Sequence, residues 1–164
     1  MKIKKSTREI LDKLYNLYPD AHCELNHSTP FELLISTVLS AQTTDKKVNQ
    51  VTEKLFKKYN TPNDFAKLSN EELENEIREI GLYKSKAKHI ISLSKSLIEH
   101  FKGEVPNTHE ELMSLDGVGR KTANVVLSNA YDIPALAVDT HVFRLANRIG
   151  LASAKDVEET EKQL

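Results

Sequence analysis

The sequence predicts an all-α protein. Four pairs of a serine or threonine with a glutamate three residues later are expected to mark helix starts, because their side chains can bond otherwise unpaired backbone N–H groups. Gly81, Gly103 and Gly150 stand where helices are expected to stop. No stretch alternates polar and apolar residues as a half-buried strand would. We therefore expect about ten short helices.

The predicted helix starts and the apolar stripes behind them follow in chain order. The starts are Ser6 with Glu9, Thr29 with Glu32 (Pro30 being first in the helix), Ser69 with Glu72, and Thr108 with Glu111. One stripe comprises Ile10, Leu11, Leu14, Leu17 and Tyr18, and another comprises Val48, Val51, Leu55, Phe56 and Tyr59. Both stripes have helical spacing, so both are expected to face a core.

Composition limits the functional classes. Hydrophobic residues make up 39% and charged residues 29% of the chain, as in ordinary globular proteins. The net charge of -1 does not indicate a nucleic-acid partner, so any such contact must come from a local patch. Lys84, Lys86, Lys88, Lys95 and Lys102 surround a single carboxylate, Glu99. This basic run is either a phosphate-tracking face or an ordinary solvated helix face.

We expect no signal peptide and no membrane-spanning segment, because the N-terminal lysines are followed by no long apolar run, and we therefore expect a soluble, cytoplasmic protein. The single cysteine, Cys23, cannot form an internal disulfide or alone hold zinc or an iron–sulfur cluster. From Asp156 a helical pattern begins and runs to Leu164 without a stop signal. We expect either a C-terminally truncated chain or a frayed natural end.

The most informative segment runs from Leu115 to Ala123, between a capped short helix and another helical run. Gly117 and Gly119 allow a sharp turn and a close backbone approach to a ligand. The helix that follows presents backbone N–H groups and the positive end of its dipole. The segment is therefore expected to bind an anion such as a DNA phosphate, without base sequence preference, although a lone pair of glycines more often only shapes a turn.

Several longer motifs together resemble the endonuclease III family of helix-hairpin-helix DNA glycosylases. They are Leu115 to Leu127, Ala137 to Arg144, Ser28 to Ile35, Leu39 to Asp45 and Ile80 to Tyr83. The resemblance covers nearly the whole chain. One departure is Asp116, where the family usually has proline; aspartate suits a turn, but its charge beside a phosphate site is expected to weaken DNA affinity unless it points away or pairs with a neighbour such as Arg120.

The resemblance implies a fold of two parts with the active-site cleft between them. Residues 21–132 would form a six-helix barrel that contains the helix-hairpin-helix at about 109–131. Residues 1–20 and 133–164 would form an incomplete second helical domain. Family members carry a [4Fe-4S] cluster on four C-terminal cysteines, and these ligands are absent from the 164 residues. The truncated chain is therefore expected to be unstable or weakly active alone.

The resemblance also implies the chemistry of Lys121 and Asp139. Lys121 falls in the first turn of the second hairpin helix, where the dipole and Arg120 disfavour a positive charge on its amine. It would attack the sugar carbon that holds the damaged base, expel the base and form a Schiff base, from which β-elimination cuts the strand. Asp139 would both cap the helix that Gly150 closes and assist the lysine or stabilise charge on the sugar.

DNA contacts are implied at eight further residues. Gln42 and Leu82, on loops, would enter the duplex at the vacated base. The hairpin would hold phosphate through Gly117, Val118, Gly119, Arg120 and Thr122. His141 either contacts the sugar-phosphate or caps locally.

The predicted function is a bifunctional glycosylase and AP lyase of base excision repair, acting as a monomer on duplex DNA with oxidised pyrimidines or abasic sites. Related glycosylases that remove mismatched adenine or thymine lack a lysine at the position of Lys121, and Leu39 to Gln42 resembles the oxidised-pyrimidine branch. An enzyme acting on oxidised guanine is the alternative substrate class. A DNA-binding module without catalysis is the alternative outside enzymes.

Overall fold

The computed structural model describes residues 5–164, with only the backbone of Lys5. Within that range all regular structure is helical, which confirms the all-α prediction. The ten helices are α1 (Lys5–Leu17), α2 (Pro30–Ser40), α3 (Asp45–Lys58), α4 (Pro62–Lys67), α5 (Asn70–Glu76), α6 (Tyr83–Phe101), α7 (His109–Met113), α8 (Arg120–Ala130), α9 (Thr140–Arg148) and α10 (Val157–Gln163).

Residues 24–135 form one compact unit that contains α2 to α8. Its core is α2, in which every residue from Phe31 to Leu39 is buried and which contacts α3, α6 and α8. A helix buried on all sides needs partners all round, and burying each large apolar side chain contributes roughly 1.5–3 kcal/mol. On α3 the predicted stripe is confirmed, since Val48, Val51 and Leu55 are buried.

The helix starts agree with the prediction in most places. Thr29, Ser69 and Thr108 each accept a hydrogen bond from the backbone N–H of the predicted glutamate. The start at Ser6 is wrong, because α1 already includes Lys5 and places Ser6 inside the helix. The sequence analysis missed a full capping box at Thr61, whose partner is an aspartate, Asp64, rather than a glutamate.

The glycine stops are confirmed at two of three positions. Gly103 and Gly150 have φ of +79° and +77° and directly follow Lys102 and Ile149, the C-cap residues of α6 and α9. Gly81 does not stop a helix: α5 ends at Glu76, and Gly81 lies in the turn before α6. The reason is that the turn between these helices is built on Ile77 and Ile80, which are buried.

Residues 5–23 and 136–164 belong to a second compact unit, which contains α1, α9 and α10. The first unit starts at residue 24 and ends at residue 135, and both boundaries lie three residues later in the chain than the predicted 21 and 132. The expectation that the α1 stripe faces a core is wrong for Leu11, Leu17 and Tyr18, which are exposed. Helical spacing places apolar residues on one face, but only tertiary partners decide whether that face is covered.

Candidate DNA-repair site

The predicted hairpin is a tight turn between two helices. We call residues 114–119 the hairpin. Its backbone closes where the N–H of Val118 donates to the carbonyl of Leu115 at 3.1 Å. The helix that follows, α8, has Gly119 as its N-cap, which supplies no side-chain hydrogen bond, and its first turn contains no acidic residue. The positive end of this helix dipole is therefore not neutralised by a carboxylate of its own first turn, as an anion site requires.

The two hairpin glycines have different structural reasons. Gly117 has φ of +77°, and a Cβ atom there would lie 2.8 Å from the Cβ of His89 on α6. No other residue fits that position without strain. At Gly119, φ is -94° and an added Cβ would meet no atom within 4 Å. The fold itself therefore does not require glycine at 119, and the open space beside it is available to a ligand.

Side chains of neighbouring helices fix the hairpin. The hydroxyl of Ser92, on α6, donates to the carboxylate of Asp116, so this residue has a partner other than the suggested Arg120. His109 and Asn124 join α7 to α8 through a hydrogen bond of 2.9 Å between Nε2 and Oδ1. The hairpin is thus held both along the chain and from α6.

The other predicted site residues of this segment lie in the first turn of α8 and at the turn before it. Lys121 is the second residue of α8 and is exposed, as is Arg120. Thr122 is half-buried, and Val118 is buried and anchors the turn in the core. The first turn of α8 therefore presents two cationic side chains at the end of the helix where its N–H groups point outward.

Asp139 is the N-cap of α9, as predicted. Its Oδ1 accepts hydrogen bonds from the backbone N–H groups of His141 and Val142, both at 2.9 Å. Two charge-assisted bonds hold the carboxylate in one orientation. His141 is exposed, and its Nδ1 lies 3.4 Å from the guanidinium of Arg144.

Gln42 and Leu82 lie on two loops that touch. We call residues 41–43 and 81–82 the paired loops. A Cβ added at Gly81 would lie 3.6 Å from both the carbonyl oxygen of Gln42 and the hydroxyl of Thr43. Gln42 and Leu82 have φ of +56° and +57°, and Leu82 is 60% exposed. Two exposed side chains with left-handed backbones are therefore presented side by side.

Sequence reasoning missed the role of Lys86. It was grouped with the basic run of α6, whose members Lys84, Lys88, Lys95 and Lys102 are exposed. Lys86 is instead buried, and its ammonium donates to backbone carbonyls at the end of α2. A signal was present, because Lys86 shares helical spacing with the buried residues Ile90, Leu93 and Leu97.

Residues 5–164 contain no group of three or more His, Cys, Asp or Glu side chains placed to hold a metal ion. The single cysteine cannot supply the four thiolates of a [4Fe-4S] cluster, so the described residues do not fit that cofactor and no chemical step is assigned to it. In the same part of the chain, none of the helices has the length and apolar character needed to cross a membrane.

Relatives of this chain are DNA-repair enzymes. Endonuclease III of Bacillus subtilis (strain 168) is 54% identical over 155 residues, which cover 94% of this chain and 71% of that protein. Endonuclease III of Escherichia coli (strain K12) is 48% identical over 161 residues, which cover 98% and 76%. The resemblance seen in the sequence motifs is thereby confirmed, and the chain is shorter than these relatives.

Solved structures similar to this chain include endonuclease III bound to DNA. The structure of a trapped endonuclease III–DNA covalent intermediate in an estranged-adenine complex matches with a TM-score of 0.94 at 54% identity, covering 100% of this chain and 78% of that one. A thermostable thymine-DNA glycosylase shares the fold, with a TM-score of 0.84 at 24% identity over 97% of this chain and 78% of its own. A model of the HhH-GPD superfamily matches residues 35–164. The chain belongs to the HhH-GPD superfamily of base excision DNA repair proteins.

Proposed function

We propose that this chain removes oxidised pyrimidines from duplex DNA and then cuts the strand through an imine on Lys121. Its relation to endonuclease III makes it a base excision repair DNA glycosylase and AP lyase. The observation that carries the proposed mechanism is the position of Lys121, in the first turn of the helix that follows the hairpin. A relative trapped as a covalent DNA intermediate supports a nucleophile in this fold.

The hairpin is proposed to hold a DNA phosphate. Gly117 sets the turn, Gly119 leaves room for an oxygen atom to approach the backbone, and Arg120 and Thr122 add a charge and a hydroxyl. Val118 is buried and anchors the turn in the core. Phosphate contacts carry no sequence information, which suits an enzyme that must test any stretch of DNA.

Lys121 is proposed as the nucleophile. Its neutral amine attacks C1′ of the sugar, and the bond to the base breaks, with the electron pair leaving on the base. Loss of a proton and opening of the ring give an imine. Removal of a proton from C2′ then breaks the C3′–O bond, so the phosphate leaves and the strand is cut on the 3′ side.

Asp139 is proposed as the second catalytic residue. Its cap bonds hold the carboxylate in a fixed direction, and a fixed negative charge stabilises the positive charge that develops on the sugar or accepts the proton of the amine. His141, in the first turn of α9, is proposed to contact the sugar-phosphate. Gln42 and Leu82 enter the duplex where the damaged base has left the stack.

The proposed partner is double-stranded DNA that contains damaged pyrimidines or abasic sites, bound by one copy of the chain. Association with the nucleoid would follow from DNA binding. The exposed lysines of α6 are compatible with a phosphate-tracking role.

Borohydride trapping on duplexes with a ring-saturated pyrimidine tests the proposal. The wild-type chain is expected to form a reduced covalent complex, and Lys121→Ala is expected to form none, since the imine nitrogen is gone. Lys67→Ala, which removes an exposed lysine of α4, is the matched control and should be trapped normally. Binding without any trapping would favour the non-catalytic module, and trapping only on oxidised guanine would favour that alternative substrate.

Asp139→Asn is expected to reduce single-turnover excision by about 10²–10⁴-fold, the usual contribution of an acid–base group. Folding should be normal, because asparagine caps a helix about as well as aspartate. The matched control is Asp156→Asn, which makes the same change at the N-cap of α10 and should leave excision unchanged. Near-normal excision by Asp139→Asn would remove this residue from the mechanism.

A further inference from the structure

Lys86 is a buried cation with an unusual set of partners. It lies in the first turn of α6 and is 4% exposed. Its Nζ donates to the carbonyl oxygens of Leu39 at 2.8 Å and Ala41 at 2.6 Å, and to the hydroxyl of Thr43 at 3.4 Å. An ammonium has three N–H groups. These three acceptors therefore occupy all of its donors and fix its position.

The carbonyls that Lys86 binds belong to the end of α2. The last carbonyls of a helix have no partner within it and carry the negative end of the dipole. α2 has no basic residue in its last turn, and at its C-cap, Ala41, the backbone already leaves the helical conformation with φ of -56° and ψ of 117°. Lys86 supplies the missing donors and charge from another helix. It thereby sets the direction in which the chain leaves α2.

The same residue also bonds to the other of the paired loops. The backbone N–H of Lys86 donates to the carbonyl of Leu82 at 3.1 Å, and the hydroxyl of Ser85 donates to that oxygen at 3.0 Å. The side chain of Lys86 thus holds the residues on either side of Gln42, while its backbone holds Leu82. Lys86 therefore makes hydrogen bonds to both of the paired loops that carry the exposed side chains of Gln42 and Leu82.

The paired loops need such support. A left-handed backbone costs a residue other than glycine roughly 1–2 kcal/mol, and it persists where surrounding contacts fix it. At Gln42 this conformation follows a helix end, where it is common, but at Leu82 it precedes a helix, where an extended N-cap is usual. Burial lowers the pKa of Lys86, which is the cost of placing an ammonium in the core.

We propose that Lys86 is a positioning residue that fixes the spacing of Gln42 and Leu82 as they enter DNA, an inference that rests on the proposed function. The partners of its ammonium, Leu39, Ala41 and Thr43, have no role in the proposed chemistry at the sugar. Its loss should therefore impair extraction of a base from a duplex, while the chemistry at an already exposed abasic sugar continues.

The test compares Lys86→Met, which keeps the length but removes the charge and donors, with Lys67→Met, the same change at an exposed lysine of α4. One substrate is a duplex with a ring-saturated pyrimidine opposite 2-aminopurine, whose fluorescence reports unstacking. The other is a single-stranded abasic oligonucleotide, scored by borohydride trapping. We expect Lys86→Met to lose about 10- to 100-fold in duplex excision, together with the unstacking signal. Trapping on the single strand should stay within about twofold of wild type, and Lys67→Met should resemble wild type on both substrates.

Equal loss on both substrates, or no loss on either, overturns the inference. If Lys86→Met does not fold, Lys86→Arg is measured in the same way, since its longer planar group keeps the charge but must displace residues 41–43. Selective loss on the duplex again supports the inference, and an equal loss or none overturns it. Failure of the wild-type chain to be trapped on either substrate would refute the proposed function itself. This outcome is distinct from a failure of the inference about Lys86, because it is measured on the wild type alone.

Discussion

The hairpin and the paired loops both require a backbone with positive φ, but they use different residue types. The hairpin has Gly117, for which the conformation carries no steric cost. The paired loops have Gln42 and Leu82, for which it costs roughly 1–2 kcal/mol each. Glycine is the residue type that adopts a positive φ most easily, whereas glutamine and leucine are unfavourable in that conformation. This contrast supports the proposal that the side chains at 42 and 82 act on DNA, whereas at 117 the backbone does.

The two regions also differ in how they are supported. The backbone of the hairpin is fixed by a hydrogen bond between residues close together in the chain. Ser92 and His89 of α6 lie beside it. The paired loops depend on a contact between Lys86 and residues more than forty positions earlier. A change of backbone should therefore damage the hairpin, and a change of side chain should damage the loops.

The largest effect on stability is expected from Gly117→Ala. The methyl group would need a left-handed backbone and would lie 2.8 Å from the Cβ of His89, which cannot rotate away because it is attached to the backbone of α6. We expect a loss of about 2–4 kcal/mol in the free energy of unfolding from these two causes together. Denaturant unfolding measures it.

Gly119→Ala is the matched control within the same turn. Its φ of -94° suits alanine, and the new methyl group would meet nothing within 4 Å. The free energy of unfolding should stay within about 1 kcal/mol of wild type or rise slightly. DNA affinity should fall nevertheless, because the methyl group occupies the space proposed for the phosphate. A stable variant with normal DNA affinity would show that no ligand approaches the backbone at this position.

The features that could be predicted from the sequence are those that neighbouring residues determine, and the features that were missed depend on distant contacts. The hairpin and the place of Lys121 at a helix start were predictable because glycines and helix caps act locally. The buried helix α2 was predictable from its apolar run. The burial of Lys86 was not predicted, because neighbouring lysines are exposed and only the distant end of α2 makes its burial favourable. The exposure of Leu17 and Tyr18 was missed for the same reason, since spacing does not reveal which face has a partner.

Leu82→Gly tests the paired loops. Its effect on the free energy of unfolding is expected to be smaller than that of Gly117→Ala and opposite in sign. Glycine relieves the left-handed strain but gains freedom in the unfolded chain, so the free energy of unfolding should be unchanged or up to about 1 kcal/mol higher. Duplex excision should fall about tenfold or more, as expected when a group that fills the stack is lost. Asp132→Gly is the control: it relieves a φ of +52° elsewhere and should leave the single-turnover rate at saturating enzyme unchanged. A destabilised Leu82→Gly with normal excision would mean that the leucine supports the fold rather than the DNA.

The smallest effect is expected from Asp116→Asn, which changes charge in the hairpin without changing the backbone. Two unit charges about 4 Å apart in water interact by roughly 1 kcal/mol, so removing the carboxylate should raise DNA affinity by about two- to fivefold at low salt. The amide oxygen can still accept from Ser92, and the turn should be preserved. Binding titrations at several salt concentrations measure the change, which should shrink as salt screens the charge. The single-turnover rate with saturating DNA should not change.

The direction of the change separates two roles of Asp116. If the charge matters, Asp116→Asn strengthens binding and Ser92→Ala, which removes the hydroxyl donor but leaves the carboxylate, does not. If the hydrogen bond to α6 matters more, both variants weaken binding, because a loosened turn no longer holds its N–H groups in place. The second result would make the hairpin resemble the paired loops, with a side-chain contact from α6 fixing its geometry, and would contradict the contrast in support between the two regions.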